Sequence, residues 1–191
     1  MRIRTTTALA TALFMISAAC NSHRSDQRMP AGSAKNTLAS VVNAATIEGP
    51  PEAVFDLVTT ARFWPQWHPA TTAVSGVTER PYLLGDRIVE RGRIGQGNFE
   101  VTWKVAEHVR SRRVVLQSES SPVQIIYSFN SQGNVTEYTR ELKYNVEDLT
   151  SISPDPNEVN RLMQLQSEQA VKQLQALVEK ILRAERIQQT R

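Results

Sequence analysis

The chain has 191 residues and a formal net charge of +3, from 22 basic and 19 acidic side chains. Five of the basic residues but only one acidic residue precede residue 38, so the remainder carries 17 basic and 18 acidic side chains. Binding to nucleic-acid phosphates requires a concentrated basic face, which so even a balance does not supply. The composition therefore excludes nucleic acid as a partner.

Residues 1–19 have the three parts of a signal peptide. Arg2 and Arg4 form the positively charged start, the apolar run ALATALFMIS follows, and the small residues SAA end the segment. The apolar run is much shorter than the roughly 20 residues of a membrane-spanning helix. We therefore expect the protein to be exported and the segment to be removed.

Cys20, the only cysteine, follows this segment directly and cannot form an internal disulfide. Its position resembles the cleavage box of bacterial lipoproteins, where the cysteine receives a diacylglyceryl group, although Ser17 stands where such boxes usually carry leucine. The alternative is ordinary cleavage that leaves Cys20 as a free thiol. Residues 20–37 are polar and rich in Ser, Gly and Pro, which predicts a flexible tether. The expected location is the cell envelope, with a lipid anchor in the membrane and the protein facing the periplasm or the surface.

From residue 38 onward the pattern is that of one folded domain, predicted to span 38–191. The run LASVVNAATIE at 38–48 is rich in β-branched residues and predicts a strand. A Gly-Pro-Pro sequence ends this strand, and proline at a first helical position favours a helix through Val58. A second short helix is predicted within 61–69, where two prolines limit its length.

Residues 70–146 alternate apolar and polar side chains with period two, which predicts antiparallel strands with one buried face. The clearest strand is 99–105, whose Phe, Val, Trp and Val side chains share a face opposite Glu, Thr and Lys. Similar alternation covers 124–130 and 136–146, and Gly133-Asn134 between them is a hairpin signal. Such a sheet needs a cover on its apolar face.

The cover is predicted to be a long C-terminal helix. Asp155, Pro156 and Glu158 form a capping-box pattern, and apolar residues then recur at helical spacing to about Ile187. The predicted helix is about 45 Å long, which is enough to cross a small domain. A coiled-coil partner is the alternative use of the apolar stripe, but the one-sided sheet favours packing within the chain.

This order of elements is that of the helix-grip fold, and several segments carry a family resemblance. The segments are IEGPPEAVFDLVTTARFWPQWHP at 47–69, YLLGDRIVERGRIG at 82–95, VTWKV at 101–105 and REL-Y at 140–144. With the long helix, residues 38–186 resemble the polyketide cyclase/dehydrase-like members of the START/Bet v 1 (SRPBCC) superfamily. The resemblance implies an α+β fold, with a curved antiparallel sheet of about seven strands wrapped on the helix and two short helices after the first strand.

The resemblance also implies a deep, mostly apolar cavity that holds a hydrophobic small molecule or lipid. Some relatives are aromatase/cyclases or hydrolases, many only bind or carry a ligand, and no catalytic motif of the family can be placed on these residues. The three histidines have no partner at metal-ligand spacing, and the glycines and serines form no phosphate-binding loop or nucleophile elbow. We therefore expect no cofactor and no metal, and we favour binding over catalysis.

Three functions follow from these observations. The first is an exported, lipid-anchored binding protein, which requires an internal cavity of roughly 300 Å³ or more. The second is a cyclase-, dehydratase- or hydrolase-type enzyme of the same fold, which requires a polar pair in the cavity poised for proton transfer. The third is an envelope interaction protein that uses the long helix, which requires a filled core and an exposed apolar patch. Neither the ligand nor the oligomeric state follows from the sequence.

The candidate site residues follow from strand alternation and helical spacing. Glu90 and Arg140 fall in phase with inward-facing apolar residues, and charged residues are rarely buried without a partner. We hypothesise that both are polar anchors of the cavity, either bridging each other or holding a ligand's head group. A β-bulge that returns either charge to solvent is the alternative. Trp67, with Trp64 and His68, either reaches the cavity mouth or plugs the helix–sheet packing. The predicted cavity-lining residues are Trp67, Glu90, Trp103, Tyr127, Phe129, Arg140, Leu162 and Met163.

Overall fold

The structure is a computed structural model that describes residues 38–189. The predicted signal peptide (1–19), the tether (20–37) and Cys20 lie outside the described residues, as do residues 190 and 191. The described part contains seven strands, a pair of short helices after the first strand, and one long helix at its end. The strands are β1 Leu38–Glu48, β2 Thr71–Gly76, β3 Arg87–Ile94, β4 Gly97–Val109, β5 Arg113–Ser118, β6 Gln124–Gln132 and β7 Val135–Asn145.

The seven strands form one antiparallel sheet in the order β1-β7-β6-β5-β4-β3-β2. From β2 to β7 each strand pairs with the next along the chain, while β1 pairs with β7. The hairpin between β6 and β7 turns at Gly133 and Asn134, as predicted. Gly133 has a φ of +69°, a conformation that glycine adopts without strain.

Two short helices connect β1 to β2. Helix α1, Pro51–Thr59, has proline at its first position, where an N–H would have no helical partner. A 3₁₀ turn, Ala61–Phe63, leads into helix α2, Trp64–Trp67. The indole of Trp64 donates to a carbonyl of α1 at 3.1 Å, which ties the two helices together and fixes the position of His68 at the end of α2.

Helix α3, Pro156–Gln189, covers the concave face of the sheet. The Asp155 side chain accepts from the Asn157 N–H (2.9 Å), which confirms the predicted cap. Glu158 pairs with Arg161 at 2.7 Å instead of reaching back to the cap, so the predicted capping box is only half formed. The apolar stripe of the helix packs into the core, and its buried residues include Val159, Met163, Ala170, Val171, Leu174 and Val178.

The core has an aromatic part under α1 and an open part nearer the start of α3. Phe55 of α1 packs on Phe129 of β6 with ring centroids 5.1 Å apart, and Phe129 packs on Tyr138 of β7 at 5.5 Å. Beyond these rings a cavity remains between the sheet and α3. The architecture is the predicted helix-grip fold of the α+β class. Within residues 38–189, no helix has both the length and the apolar character needed to cross a membrane.

Candidate functional site

A cavity of about 270 Å³ lies between the sheet and the first half of α3. Strands β3, β4, β6 and β7 contribute to its wall, which the loop after β5 and residues 148–152 complete. The cavity is partly open to solvent, and its volume lies within about a tenth of the roughly 300 Å³ expected for a small-molecule site, so it suits a small ligand. The wall is mainly apolar, with Ile94, Phe99, Val101, Val123, Ile125, Leu142, Leu149, Ile152 and Met163.

The polar part of the wall centres on Glu90 in β3. Strand alternation puts Glu90 in phase with the buried Ile88, and Glu90 is only 4% exposed. Its carboxylate accepts one hydrogen bond from Thr71 Oγ1 and another from Trp103 Nε1, at 2.8 Å. Burial raises the pKa of Glu90, while these two hydrogen bonds and the charge of Arg140 act in the opposite direction.

Arg140 projects from β7 into the same cavity and is 2% exposed. Its Nη1 donates to Ser167 Oγ of α3 at 2.9 Å, and its Nη2 lies 3.3 Å from His68 Nε2. Within the described residues, its Nε has no hydrogen-bond partner. Burial raises the pKa of the neighbouring Tyr127 to about 12, an effect that the positive charge of Arg140 partly opposes.

His68 connects the two charges. Its Nδ1 lies 2.9 Å from Thr71 Oγ1, and Thr71 in turn donates to Glu90. Burial, and then the positive charge of Arg140, hold the pKa of His68 well below its usual value, so the imidazole is neutral. Because arginine can only donate, Nε2 accepts from Arg140, and Nδ1 carries the proton that it donates to Thr71. The 3.6 Å approach of Nδ1 to Glu90 is therefore not an ion pair.

These bonds form one directed polar chain, in which Arg140 donates to His68, His68 to Thr71, and Thr71 to Glu90. Both charges face inward, and they are linked through this polar chain instead of by a direct ion pair between described residues. The arrangement can hold a polar head group, and it presents the buried carboxyl group of Glu90 to the cavity as a candidate acid or base. Among residues 38–189, no three or more His, Cys, Asp or Glu side chains are grouped closely enough to hold a metal ion.

The predicted site residues divide into two sets. Tyr127 and Phe129 face inward but pack in the aromatic part of the core, away from the cavity wall. The reason is that alternation fixes which face of a strand is buried, whereas the position of α1 determines which part of that face it fills. The predicted residues on the cavity wall are Glu90, Trp103, Arg140 and Met163.

Trp67 and Leu162 also lie away from the cavity wall. Trp67 is buried and packs edge-on against His68, with ring centroids 5.7 Å apart. It therefore acts as a packing residue that holds the imidazole ring in position. Leu162 is half-buried and packs beside Gly95 in the turn between β3 and β4. A ligand-binding role for the eight predicted residues stays a prediction.

Sequence reasoning misses two members of this site, Thr71 and Ser167. Ser167 has a usable signal, because it lies in phase with Met163 and Leu174 on the apolar stripe of α3 and is nevertheless polar. A buried hydroxyl requires a hydrogen-bond partner, so its position points to an inward polar group opposite. Thr71 carries no such signal, because it is simply the first residue of β2.

A protein-family model described as polyketide cyclase / dehydrase and lipid transport matches residues 39–179, which is most of the chain. The chain belongs to this family. Membership places it in the SRPBCC superfamily, whose START-type members share the helix-grip fold described above. The family is described by polyketide cyclases, dehydrases and lipid transport, so its fold is of the type that binds hydrophobic ligands or supports cyclase activity. None of the curated proteins matches the chain in sequence.

Several solved structures share the fold of this polyketide cyclase/dehydrase family member. The Zhui aromatase/cyclase of Streptomyces sp. R1128 has a TM-score of 0.64 at 11% identity, covering 78% of this chain and 98% of its own. A START superfamily protein from Mycobacterium smegmatis has a TM-score of 0.60 at 16% identity, covering 74% and 98%. A protein from Thermus thermophilus has a TM-score of 0.60 at 17% identity, covering 73% and 97%. At such identities the likeness establishes the fold alone.

Proposed function

We propose that the protein is an exported, lipid-anchored binding protein that holds a hydrophobic or amphipathic small molecule in the cavity between the sheet and α3. The observation that carries the proposal is the buried polar chain from Arg140 to Glu90 at the wall of an otherwise apolar cavity. Small-molecule sites typically combine apolar walls with a few placed polar groups. Membership of a family described by polyketide cyclase, dehydrase and lipid transport supports the same class of ligand.

An amphipathic ligand satisfies both parts of this cavity. Its apolar body gains about 25 cal/mol per Å² of surface that it removes from water against the apolar wall. Its polar group meets Arg140, which is buried with an Nε that has no partner among the described residues. A purely apolar ligand leaves that buried donor unpaired, which costs binding free energy, so amphipathic molecules fit the cavity better.

Export and lipid anchoring rest on residues outside the described part of the chain. The signal-peptide pattern of residues 1–19 and the small residues before Cys20 support them. Growth of the producing bacteria with a clickable fatty acid should label the wild-type protein and leave Cys20→Ser unlabelled. Equally weak labelling of both, with both recovered as soluble protein, contradicts lipidation and leaves ligand binding untouched.

Native mass spectrometry of the full-length protein, purified in mild detergent from a host that exports it, tests ligand binding. We expect a noncovalent adduct, and extraction should release an amphipathic molecule. Met163→Trp places a larger side chain at the cavity wall and should remove the adduct, whereas Leu165→Trp on the exposed side of the same helix should keep it. A protein that carries no adduct and takes up no added amphiphile contradicts the proposed function.

Enzymatic catalysis is a second candidate, favoured by the directed polar chain that ends on Glu90. The pKa of Glu90 is raised, primarily by burial, which moves this carboxyl toward the range where general acids and bases work at neutral pH. We propose that Glu90 removes a proton next to a carbonyl of a β-hydroxyacyl substrate and that the β-hydroxyl leaves as water with one returned proton. Glu90 itself delivers that proton to the leaving oxygen, while the hydrogen bonds from Thr71 and Trp103 hold its carboxyl group in place.

Incubation with a β-hydroxyacyl thioester, followed by mass analysis for the loss of one water, tests this second candidate. We expect turnover by the wild-type protein and none by Glu90→Gln, which keeps the shape of the side chain but cannot act as a base. Glu119→Gln, which changes an exposed carboxyl in the loop after β5, should retain full turnover. Binding of the thioester without any loss of water leaves binding as the function and contradicts catalysis.

A further inference from the structure

The two buried charges of the cavity differ in their spare hydrogen-bonding capacity. Both oxygens of Glu90 already accept a hydrogen bond, one from Thr71 and one from Trp103. Arg140 donates from Nη1 to Ser167 and from Nη2 to His68, and its Nε has no partner within residues 38–189. A guanidinium carries five N–H donors in one plane. Within this polar chain, the buried group without any partner among the described residues is therefore the Nε donor of Arg140, which calls for an acceptor.

We infer that the molecule held here is a carboxylate whose two oxygens accept from Arg140, an inference that rests on the proposed binding function. A carboxylate matches the planar fork of a guanidinium and forms charge-assisted bonds that are stronger than those of a neutral hydroxyl. Gln166 lies on the same wall with its Oε1 unpartnered among the described residues, and rotation of its amide presents a further N–H donor.

A cationic head group is disfavoured by the same contacts. Within the buried part of the cavity, an ammonium group would have to displace Thr71 or Trp103 from Glu90, because the other two carboxylates of the wall, Glu100 and Asp148, are exposed to solvent. It would also lie close to the buried positive charge of Arg140, and like charges repel strongly where water is excluded. The polar chain thus selects for anions over cations, with Glu90 acting as the counter-charge that keeps Arg140 buried.

The volume of the cavity limits the apolar body of this carboxylate. At about 30 Å³ per non-hydrogen atom, the volume of a liquid water molecule, 270 Å³ holds about nine such atoms. Octanoate, with its ten non-hydrogen atoms, matches this size because the cavity is partly open. Its chain would lie along the apolar wall formed by Ile125, Leu142 and Met163.

Isothermal titration calorimetry of the full-length protein with octanoate, octan-1-ol and octylammonium tests the inference. The three probes share one chain and differ in head group. We expect octanoate to bind at least about tenfold more tightly than octan-1-ol, because a charge-assisted pair replaces a neutral hydrogen bond. Octylammonium should bind most weakly. Arg140→Leu should reduce the affinity for octanoate to that for octan-1-ol.

Two further variants keep the test decisive. Arg140→Gln keeps a hydrogen-bonding side chain without the charge, so it shows the same loss should Arg140→Leu fail to fold. Lys143→Leu removes a positive charge three residues away on the opposite face of β7 and should keep the affinity for octanoate. Octan-1-ol binding as tightly as octanoate overturns the carboxylate inference but supports the binding function. Failure of every probe to bind overturns both.

Discussion

Arg140 and Glu90 are both buried by folding, and the positive charge of Arg140 acts on the carboxyl group of Glu90. Hydrogen bonds through His68 and Thr71 link the two side chains. If one of the two charges is removed, the other stays buried without an opposite charge. This destabilises the folded state strongly, even where the intact pair adds little net stability. We expect Arg140→Leu to lower the free energy of unfolding by about 3 kcal/mol. Adding Glu90→Leu should recover part of that loss, because the double variant leaves no buried charge unpaired.

Urea denaturation of the two single variants and the double variant measures this coupling. Lys143→Leu serves as the control, since it removes a charge of the same sign from the same strand on the outer face. Its effect should stay below about 1 kcal/mol, as is usual for a surface ion pair. Strict additivity of Arg140→Leu and Glu90→Leu would show that the polar chain does not couple the two charges.

His68 makes the stability of the domain depend on pH. Its pKa is lowered in the folded state by burial and then by Arg140, from an ordinary value of 6.5. Below that pH the unfolded chain binds a proton that the folded chain refuses, so the free energy of unfolding falls as the pH drops through 6.5. The contribution of this one group approaches about 1.4 kcal/mol per pH unit.

Denaturation of wild type and His68→Gln between about pH 7.5 and about pH 5.5 separates this contribution from the rest. We expect the variant, whose amide can still accept from Arg140 and donate to Thr71, to show a clearly flatter dependence on pH. Glu90 acts with the opposite sign: its pKa in the folded state is raised above the ordinary 4.5, so as the pH falls the folded state binds this proton before the unfolded chain does. Identical slopes for the two proteins would contradict the assignment to His68.

At the scale of elements, helix α3 packs against the rest of the domain through one side of its surface only. Leu174 is fully buried, while Leu165 on the same helix is exposed. Leu174→Ala should lower the free energy of unfolding by about 3 kcal/mol, the usual cost of emptying a core site. Leu165→Ala, the same change on the outer side, should cost less than about 1 kcal/mol. Equal effects in urea denaturation would show that α3 does not pack as the structure places it.

Strand alternation predicts Glu90 correctly as an inward residue, because the pairing of β3 with β4 runs without a shift from residue 87 to 94. The rule weakens further along β4, where the register shifts between Val105 and Glu107. A periodic pattern carries no information on where such an irregularity lies. The half-buried position of His108, beyond that point, therefore could not be predicted from the alternation.

The candidate site was harder to predict than the strands, because it depends on where separate elements meet. Alternation places Tyr127 and Arg140 inward, but only the position of α1 decides that the aromatic rings of β6 fill the core while Arg140 reaches the cavity. His68 and Thr71 reach Glu90 through the connection between α2 and β2, whose path no period specifies. Of the residues that the prediction missed, only Ser167 could have been recognised from the sequence, because it is a polar residue within the apolar stripe of α3.

Across the whole molecule, the resemblance of the connected segments predicted the fold more securely than any single element did. The run at 47–69 and the long helix lie far apart in the sequence, yet in the structure α2 packs against α3. Proteins with different ligands share packing contacts of this kind. Such contacts therefore indicate the helix-grip fold but do not predict which ligand the cavity binds. That chemistry had to be derived from the geometry of Glu90, Arg140 and His68.

The four tyrosines make the whole domain sensitive to alkali. Burial is the largest cause that raises the pKa of each of them, Tyr82, Tyr127, Tyr138 and Tyr144, above the ordinary value of 10. The folded state therefore keeps protons that the unfolded chain loses, so stability is intact below pH 10 and declines as the pH rises beyond it. Phenolate absorbance should appear together with the loss of folded circular dichroism, as one cooperative transition above pH 10.

Tyr138 and Tyr144 provide a matched pair for this prediction. The Tyr138 hydroxyl is buried with no hydrogen-bond partner among the described residues, whereas the Tyr144 hydroxyl donates to Asn160 at 2.8 Å. Tyr138→Phe should raise the free energy of unfolding by about 1 kcal/mol and shift the alkaline transition upward, because it removes an unsatisfied polar group. Tyr144→Phe should lower the free energy of unfolding by about 1 kcal/mol, because it leaves the Asn160 oxygen without its donor. Phenols that ionise near the ordinary pKa while the protein stays folded, or a Tyr138→Phe variant less stable than Tyr144→Phe, would show that the aromatic core is not buried as described.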